Sequence, residues 1–246
     1  MISLRTAALI ALLSPTMMLA QYGAGRAVEF TVRVENVSTP QTLKLSNGMT
    51  APAPTAPVLW TITDEGNPLF TTGKKDRGFG LERLAEEGNP GVLADYISTN
   101  VKSVLTSGVV TMPIGDKEGG PITPGKAYEF KVSASPGQRL TIAMMFGQSN
   151  DLFYAPGDKA IALFDASGRP ITADITNQLY LWDAGTEINE EPGLGPNQAP
   201  RQPAPNTGAA ENGVVRIAKD KFKYPSTQQV VRVTVKPSSA TTAESR

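Results

Sequence analysis

The sequence has 246 residues, a formal net charge of zero, and neither histidine nor cysteine. The two missing residue types exclude Ser-His-Asp and Cys-His nucleophile systems, disulfide bonds, and zinc sites made from thiolate or imidazole, so any metal ion would need oxygen ligands, as calcium and magnesium do. The charges form no evident lysine and arginine cluster, which argues against nucleic acid as a partner, because neutralising phosphates requires grouped cations.

Residues 1–20 are predicted to be a secretory signal peptide. A basic residue precedes an apolar stretch over residues 7–13, and the small Ala20 offers a cleavage point, with Ala27 as a second one. The stretch is too short for a membrane span, which needs roughly 20 residues. A buried N-terminal helix is the alternative, although Pro15 interrupts it. We expect the mature protein to be secreted or periplasmic.

Most of the remaining chain is predicted to form β-strands. Residues 28–37 alternate between apolar and polar side chains, which is typical of a strand with one wet face. The same alternation occurs on both sides of Pro136 and Gly137, and this pattern predicts a β-hairpin. Similar patterns predict further strands within residues 57–64, 160–171, 176–183 and 227–237.

One segment follows a helical period instead. Apolar residues at helical spacing occupy positions 81–85, and the pattern stops at Gly88. Asn89 then offers an N-cap and Pro90 a first helical position for a second helix, which carries apolar residues through Ile97. The sequence therefore predicts two short helices in tandem.

Strands separated by turns around one helical insertion predict an all-β fold. The expected architecture is an antiparallel β-sandwich of about eight strands with one or two short helices inserted. We predict a single domain over residues 28–237, followed by a flexible C-terminal tail over residues 238–246, which is poor in apolar side chains.

An acidic pair stands where the predicted strand over residues 176–183 opens into a long loop. Asp183 ends that strand, Glu187 follows four positions later, and Gly185 between them permits a tight bend. A solvated turn is one interpretation of the pair. The other is a cation site, because carboxylates brought close together repel one another unless a proton or a cation bridges them. Asp151, which follows the strand predicted to end near Phe146, is the candidate for a third ligand of calcium.

Other acidic residues are predicted to serve no site. Glu86 and Glu87 near the end of the first helix are interpreted as a solvated face, and Asp158 and Asp165 as turn residues.

Four strings of the sequence together resemble the spondin-type domain, which occurs in spondins, in mindin-like matrix proteins and alone in exported bacterial proteins. They are "SASPGQRLTIAMMFGQSNDLF", "LYLWDAGTE", "GLERLAEEGNPGVLADYI" and "GPNQAP". The most specific is the aromatic-Asp-Ala-Gly-Thr-acid string over residues 182–187. The likeness extends from about Val28 to Lys236.

The resemblance implies a β-sandwich with short helices and a bound calcium ion. The family's ligand positions fall on Asp151, Asp183 and Glu187, and Glu187 stands where the family usually has a second Asp. Asn150 and Leu152 replace the Pro and Trp of the Ser-Pro-Asp-Trp motif in animal members. The cysteines of the animal members are absent, so their disulfides are not carried over.

These features predict an exported, non-catalytic, calcium-binding module that mediates adhesion or binds a protein or glycan at the cell envelope or outside the cell. The alternative is a secreted hydrolase that cleaves polysaccharide with paired carboxylates about 5–9 Å apart, and Trp60 or Trp182 would stack on the sugar. A structural component of the envelope without a metal ion is a third interpretation.

Overall fold

The computed structural model describes residues 26–238. The predicted signal peptide and, apart from Ser238, the predicted tail lie outside the described residues. Within this range β1 begins at Val28 and β13 ends at Pro237, and the two strands pair with each other, so that both ends of the described chain lie in one sheet.

Antiparallel strands make up most of the described chain. Eight of them have five residues or more: β1 (Val28–Asn36), β4 (Val58–Thr63), β5 (Val104–Val110), β6 (Ala127–Ala134), β7 (Arg139–Met145), β8 (Leu152–Pro156), β11 (Leu179–Asp183) and β13 (Val231–Pro237). The others have two residues each: β2 (Leu43–Lys44), β3 (Thr50–Ala51), β9 (Ile161–Ala162), β10 (Ala173–Asp174) and β12 (Arg216–Ile217). The helices are α1 (Leu81–Glu87), α2 (Gly91–Asn100) and α3 (Thr227–Val230), and a 3-10 turn covers Thr176–Gln178.

The strands form two main sheets and a small ribbon. A four-stranded sheet has the order β10-β13-β1-β6, and a seven-stranded sheet has the order β12-β11-β8-β7-β4-β5, with β9 paired to β7. β2 and β3 pair only with each other. The prediction of an antiparallel β-sandwich of about eight strands with short helices is confirmed.

Two apolar layers hold this arrangement together. The first lies between the sheets and includes Phe30 and Val32 of β1 and Ile142 of β7. The second lies on the other face of the seven-stranded sheet, where Phe153 of β8 belongs to the same apolar cluster as Leu84 of α1. Because both faces of this sheet are covered, every residue of β8 is buried. Each large apolar side chain removed from water contributes ~1.5–3 kcal/mol to stability.

The tandem helices follow the sequence prediction closely. α1 ends at Glu87, and the C-cap residue Gly88 that follows it adopts a left-handed conformation with φ of 66°. The N-cap of α2 is Pro90 and not the predicted Asn89, and it makes no side-chain capping hydrogen bond. The Asn89 side chain, one residue earlier, accepts a hydrogen bond from the Gly91 backbone N–H at 3.1 Å. α2 begins at Gly91, one residue later than predicted. None of the helices within residues 26–238 has the length and apolar character needed to cross a bilayer.

The predicted hairpin around Pro136 and Gly137 is wrong. The turn exists, because the Gln138 N–H donates to the Ser135 carbonyl at 3.0 Å. However, β6 before the turn belongs to the four-stranded sheet and β7 after it belongs to the seven-stranded sheet. Alternation reports which face of a strand is apolar. It does not report whether two consecutive strands exchange backbone hydrogen bonds or pack face to face.

Three strands of the larger sheet bring polar residues to one end of the sandwich. β8 and β11 pair so that Leu152 lies opposite Asp183, which places Asp151 beside the last residue of β11. β12 pairs with the other side of β11 so that Asp183 lies opposite Arg216. The long loop between β11 and β12 starts and finishes at this point.

Candidate metal centre

Three carboxylates meet at this end of the sandwich. One oxygen from each of Asp151, Asp183 and Glu211 lies within 4.8 Å of the other two. Within the described residues, this is the group of acidic side chains that lie close enough together to hold a metal ion. Asp151 is 0% exposed and Asp183 is 1% exposed. Buried charges are stable only when they are paired, protonated or bound to a metal ion, so this group requires a partner.

The loop fixes one oxygen of Asp151 and leaves the other free. Oδ2 of Asp151 accepts hydrogen bonds from the Thr186 N–H at 2.7 Å, the Thr186 hydroxyl at 3.1 Å and the Glu187 N–H at 3.1 Å. Oδ1 is buried and has no hydrogen-bond partner among residues 26–238. A carboxylate that binds a metal ion is commonly held in place by hydrogen bonds to one oxygen, and its other oxygen binds the ion. Asp151 has this arrangement, with one oxygen hydrogen-bonded and the other buried without a partner in the described residues.

Arg216 holds the other two acids. Its Nη2 donates to Asp183 Oδ2 at 2.8 Å and to Glu211 Oε1 at 2.7 Å. Asp183 also accepts from the Gly185 N–H at 2.7 Å and from the Asn189 amide at 2.8 Å. The second oxygen of Glu211, Oε2, is buried and has no partner in the part of the chain that the structure describes.

The centre carries more negative than positive charge. Three carboxylates against the single guanidinium of Arg216 leave two formal negative charges uncompensated. Burial, and then the nearby charge of Asp183, raise the pKa of Asp151 to about 7, although the hydrogen bonds from Thr186 and Glu187 oppose the rise. Burial also raises the pKa of Asp183, and Arg216 works against that rise. A divalent cation would supply the missing charge.

A glycine is required where the acidic loop begins. Gly185 has φ of 71°, in the left-handed region, and a Cβ atom there would lie 2.6 Å from the Val214 backbone nitrogen. The close approach exists because the returning loop pairs with the outgoing one. The Gly213 N–H donates to the Gly185 carbonyl at 2.7 Å, and the Glu211 N–H donates to the Thr186 carbonyl at 2.8 Å. This pairing carries Glu211 to the two aspartates.

The structure brings together two of the three predicted ligands, Asp151 and Asp183, and adds Glu211 to them. Glu187 is buried nearby, but its carboxylate accepts hydrogen bonds from the Gly208 N–H at 2.9 Å and from the Asn150 amide at 3.2 Å. Glu187 therefore shapes the centre mainly through its backbone N–H, which binds Asp151. Its role as a ligand stays a prediction.

Sequence reasoning missed Glu211 and Arg216. Glu211 lies in a stretch rich in Gly, Pro and Asn, and Arg216 lies in a strand of only two residues, so neither falls in a periodic pattern. Their position depends on the loop pairing back onto residues 185–188, which no local pattern reports.

A further buried acid lies beside the centre. Glu86 of α1 is 2% exposed, so the prediction of a solvated face is wrong for this residue. Burial is the main cause that raises its pKa to about 8, the polar side chain of Thr186 partly opposes the rise, and the charges of Glu187, Glu82 and Asp151 add to it. At neutral pH the Glu86 carboxyl is therefore mainly protonated.

No protein-family model matches this chain, and no curated protein sequence matches it.

Proposed function

We propose that this protein is an exported, non-catalytic binding module whose β-sandwich is stabilised by a calcium ion held by Asp151, Asp183 and Glu211. The observation that carries the proposal is a pair of buried oxygens that find no hydrogen-bond partner within residues 26–238, one on Asp151 and one on Glu211, in a group of three acids with uncompensated charge. In a site without an ion, burying these oxygens would be unfavourable.

The donor set suits calcium. Calcium binds six to eight oxygens at about 2.3–2.6 Å in a flexible geometry, and backbone carbonyls can complete its shell. Two oxygens bound to one calcium ion can lie up to about 5.2 Å apart, twice the longest usual Ca–O distance, and the oxygens of this group lie within 4.8 Å of one another. An irregular loop tolerates calcium better than magnesium, which demands a nearly ideal octahedron.

The ion would join three parts of the chain. Asp151 precedes β8, Asp183 ends β11, and Glu211 comes from the returning part of the loop. Linking them would hold the long loop against the end of the sandwich and keep one loop surface in a fixed shape for a partner. Export is expected from the predicted signal peptide, and the resemblance to spondin-type domains supports both calcium and a binding role.

Hydrolysis by paired carboxylates is disfavoured. A polysaccharide would have to reach Asp151 and Asp183, which are almost completely buried. Neither tryptophan is placed to stack on a sugar at these acids. Trp182 is 4% exposed and donates its indole N–H to the Ala155 carbonyl at 3.0 Å, whereas Trp60 stacks on Phe130 with ring centroids 5.9 Å apart.

Terbium luminescence tests the proposed site. Terbium(III) replaces calcium at oxygen sites and emits when a neighbouring tryptophan is excited, and Trp182 directly precedes Asp183. We expect emission from metal-stripped protein that calcium displaces, and loss of emission in Asp151→Asn and Glu211→Gln. Asp165→Asn, in an exposed turn, is the matched control and should emit like wild type. Absence of emission, or unchanged emission in Asp151→Asn, would contradict the proposal.

The same experiment separates Glu211 from Glu187. Glu187→Gln should retain more terbium emission than Glu211→Gln, because the Glu187 carboxylate is occupied by Asn150 and Gly208. A greater loss in Glu187→Gln would assign the third ligand to Glu187 instead.

A further inference from the structure

A groove of about 530 Å³ lies away from the acidic centre. Its walls come from the β2–β3 ribbon, from the loop at Glu191 and Pro192, and from residues 221–225 after β12. The ribbon and the loop are fastened together where the Ser46 N–H and hydroxyl donate to the two oxygens of Glu191, both at 2.6 Å. The groove is therefore built from three chain segments with defined contacts.

Positive charge dominates this groove. Lys44, Lys221 and Lys223 line it, and all three are exposed. Glu191 is the single acid among its lining residues in the described chain, and both of its oxygens are engaged by Ser46. The sequence does not reveal this grouping of three lysines, because Lys44 comes from a distant segment.

Two aromatic rings line the same groove as the lysines. Phe222 and Tyr224 line the groove and are partly exposed. The carboxylate of Asp220 accepts hydrogen bonds from the Phe222 N–H and from the Tyr224 hydroxyl, both at 2.7 Å, and so fixes this turn. The Lys221 ammonium lies 5.0 Å from the centroid of the Phe222 ring. Fixed rings flanked by ammonium groups offer both a flat apolar surface and positive charge.

We propose that this groove binds an anionic carbohydrate, a saccharide chain that bears carboxylate or sulphate groups. Sugar C–H faces pack on aromatic rings, and the acid groups pair with the lysines. Lysine acts as a point charge and does not select planar groups as an arginine fork does, and no arginine lines the groove within residues 26–238. An acidic peptide would satisfy the lysines but would make less use of the rings.

This inference deepens the proposed function, because it names the partner class of the binding module. It does not require the metal centre, since none of the three acids of that centre lines the groove. Calcium binding and saccharide binding are therefore measured separately. A protein that binds calcium but no saccharide would overturn the inference and leave the metal site intact, and the reverse result would overturn the metal site alone.

The test is calorimetric titration of the full mature chain with four polymers. They are a galacturonate oligosaccharide, a sulphated dextran oligosaccharide, neutral dextran and poly-glutamate. We expect binding to one or both of the anionic saccharides, weakened by added salt, and none to neutral dextran. Comparing the galacturonate with the sulphated dextran shows whether the groove recognises carboxylate or sulphate groups. Failure of both, or equally tight binding of poly-glutamate, would overturn the inference.

Two double variants with equal charge loss complete the test. Lys221→Ala with Lys223→Ala should weaken saccharide binding by about tenfold or more, because the direct charge pairs are lost. Lys117→Ala with Lys159→Ala removes two exposed lysines outside the groove and should change the affinity by less than about twofold. Equal losses in both double variants would show that only net charge matters and would contradict a groove site.

Discussion

Arg216 lies opposite Asp183 in the pairing of β11 with β12, and its guanidinium donates to that carboxylate at 2.8 Å. The same nitrogen donates to Glu211 at 2.7 Å. One cation thus serves two of the three acids in the centre, whereas Asp151 forms no ion pair within the described chain. Asp151 is therefore the acid whose charge depends most on a proton or on a bound metal ion.

The first prediction is that the metal-free protein loses stability as pH rises. The pKa of Asp151 is raised in the folded state to about 7, against about 3.9 when unfolded. The folded state thus retains a proton that the unfolded state releases, so this contribution is complete below pH ~4 and is lost as pH rises through 7. In chelator, the melting temperature should fall by about 5 °C or more between pH 5 and pH 8.

Calcium should reverse this loss. At pH 8 an ion that binds only the folded state raises the melting temperature by mass action, whereas at pH 5 the proton on Asp151 competes with it. Asp151→Asn should show a smaller pH-dependent fall and no response to calcium. A wild-type melting temperature that is independent of pH and calcium would contradict this prediction.

The second prediction concerns Arg216. Arg216→Met should destabilise the chelator-treated protein by about 2–4 kcal/mol, because Asp183 and Glu211 lose their shared counter-ion while remaining in place. Calcium should restore more of the melting temperature in this variant than in wild type. Arg232→Met is the control, since it breaks an exposed pair with Glu35, and such pairs contribute less than about 1 kcal/mol.

The third prediction concerns the bend at Gly185. Gly185→Ala should lower the free energy of unfolding by about 3 kcal/mol or more, because a left-handed residue with a Cβ atom is strained and the Cβ atom would overlap the Val214 backbone. Gly168→Ala is the matched control, because Gly168 is also left-handed, with φ of 77°, but no atom lies within 4 Å of the Cβ atom that alanine would add. The control isolates the backbone strain of a left-handed residue, which costs about 1–2 kcal/mol. Denaturant titrations that give equal losses would show that the loop can move aside.

The fourth prediction concerns the buried carboxyl of Glu86. Glu86→Gln should stabilise the protein by about 2 kcal/mol at pH 6, where the carboxyl is protonated when folded but ionised when unfolded, and by about 4–5 kcal/mol at pH 9. The sign follows from the raised pKa of about 8, since ionisation of a buried group favours unfolding. Glu87→Gln, next in the sequence and paired with Arg83 at 2.9 Å, should show the same effect at both pH values. If Glu86→Gln changed the free energy of unfolding equally at the two pH values, the raised pKa of Glu86 would be contradicted.

Periodicity in the sequence predicts most of the fold. Alternation identified β1 and the inner faces of β6 and β7, and the glycine at 88 with the asparagine at 89 marked the break between α1 and α2. The pairing of β6 and β7 could not be obtained in this way. Two strands joined by a short turn satisfy the same pattern whether they share a sheet or face each other across the core, and here β6 and β7 belong to different sheets.

The candidate centre was predictable only in part. Asp151 and Asp183 adjoin strands that the sequence reveals, and the antiparallel pairing of β8 and β11 brings them together. Glu211 reaches them because Gly185 and Gly213 let two irregular segments approach closely, as the hydrogen bond between them at 2.7 Å records. Backbone pairing between irregular segments leaves no period in the sequence, so the third acid and its arginine could not be identified beforehand.

The most direct test of the calcium centre is calorimetric titration of metal-stripped protein with calcium at pH 7.5, for wild type and Asp151→Asn. Circular dichroism before the titration establishes that both are folded. We expect wild type to bind one calcium ion per chain and Asp151→Asn to bind it about 100-fold more weakly or worse, because a charged ligand is removed. No binding heat from folded wild-type protein, or equal affinity in the two proteins, would contradict this expectation.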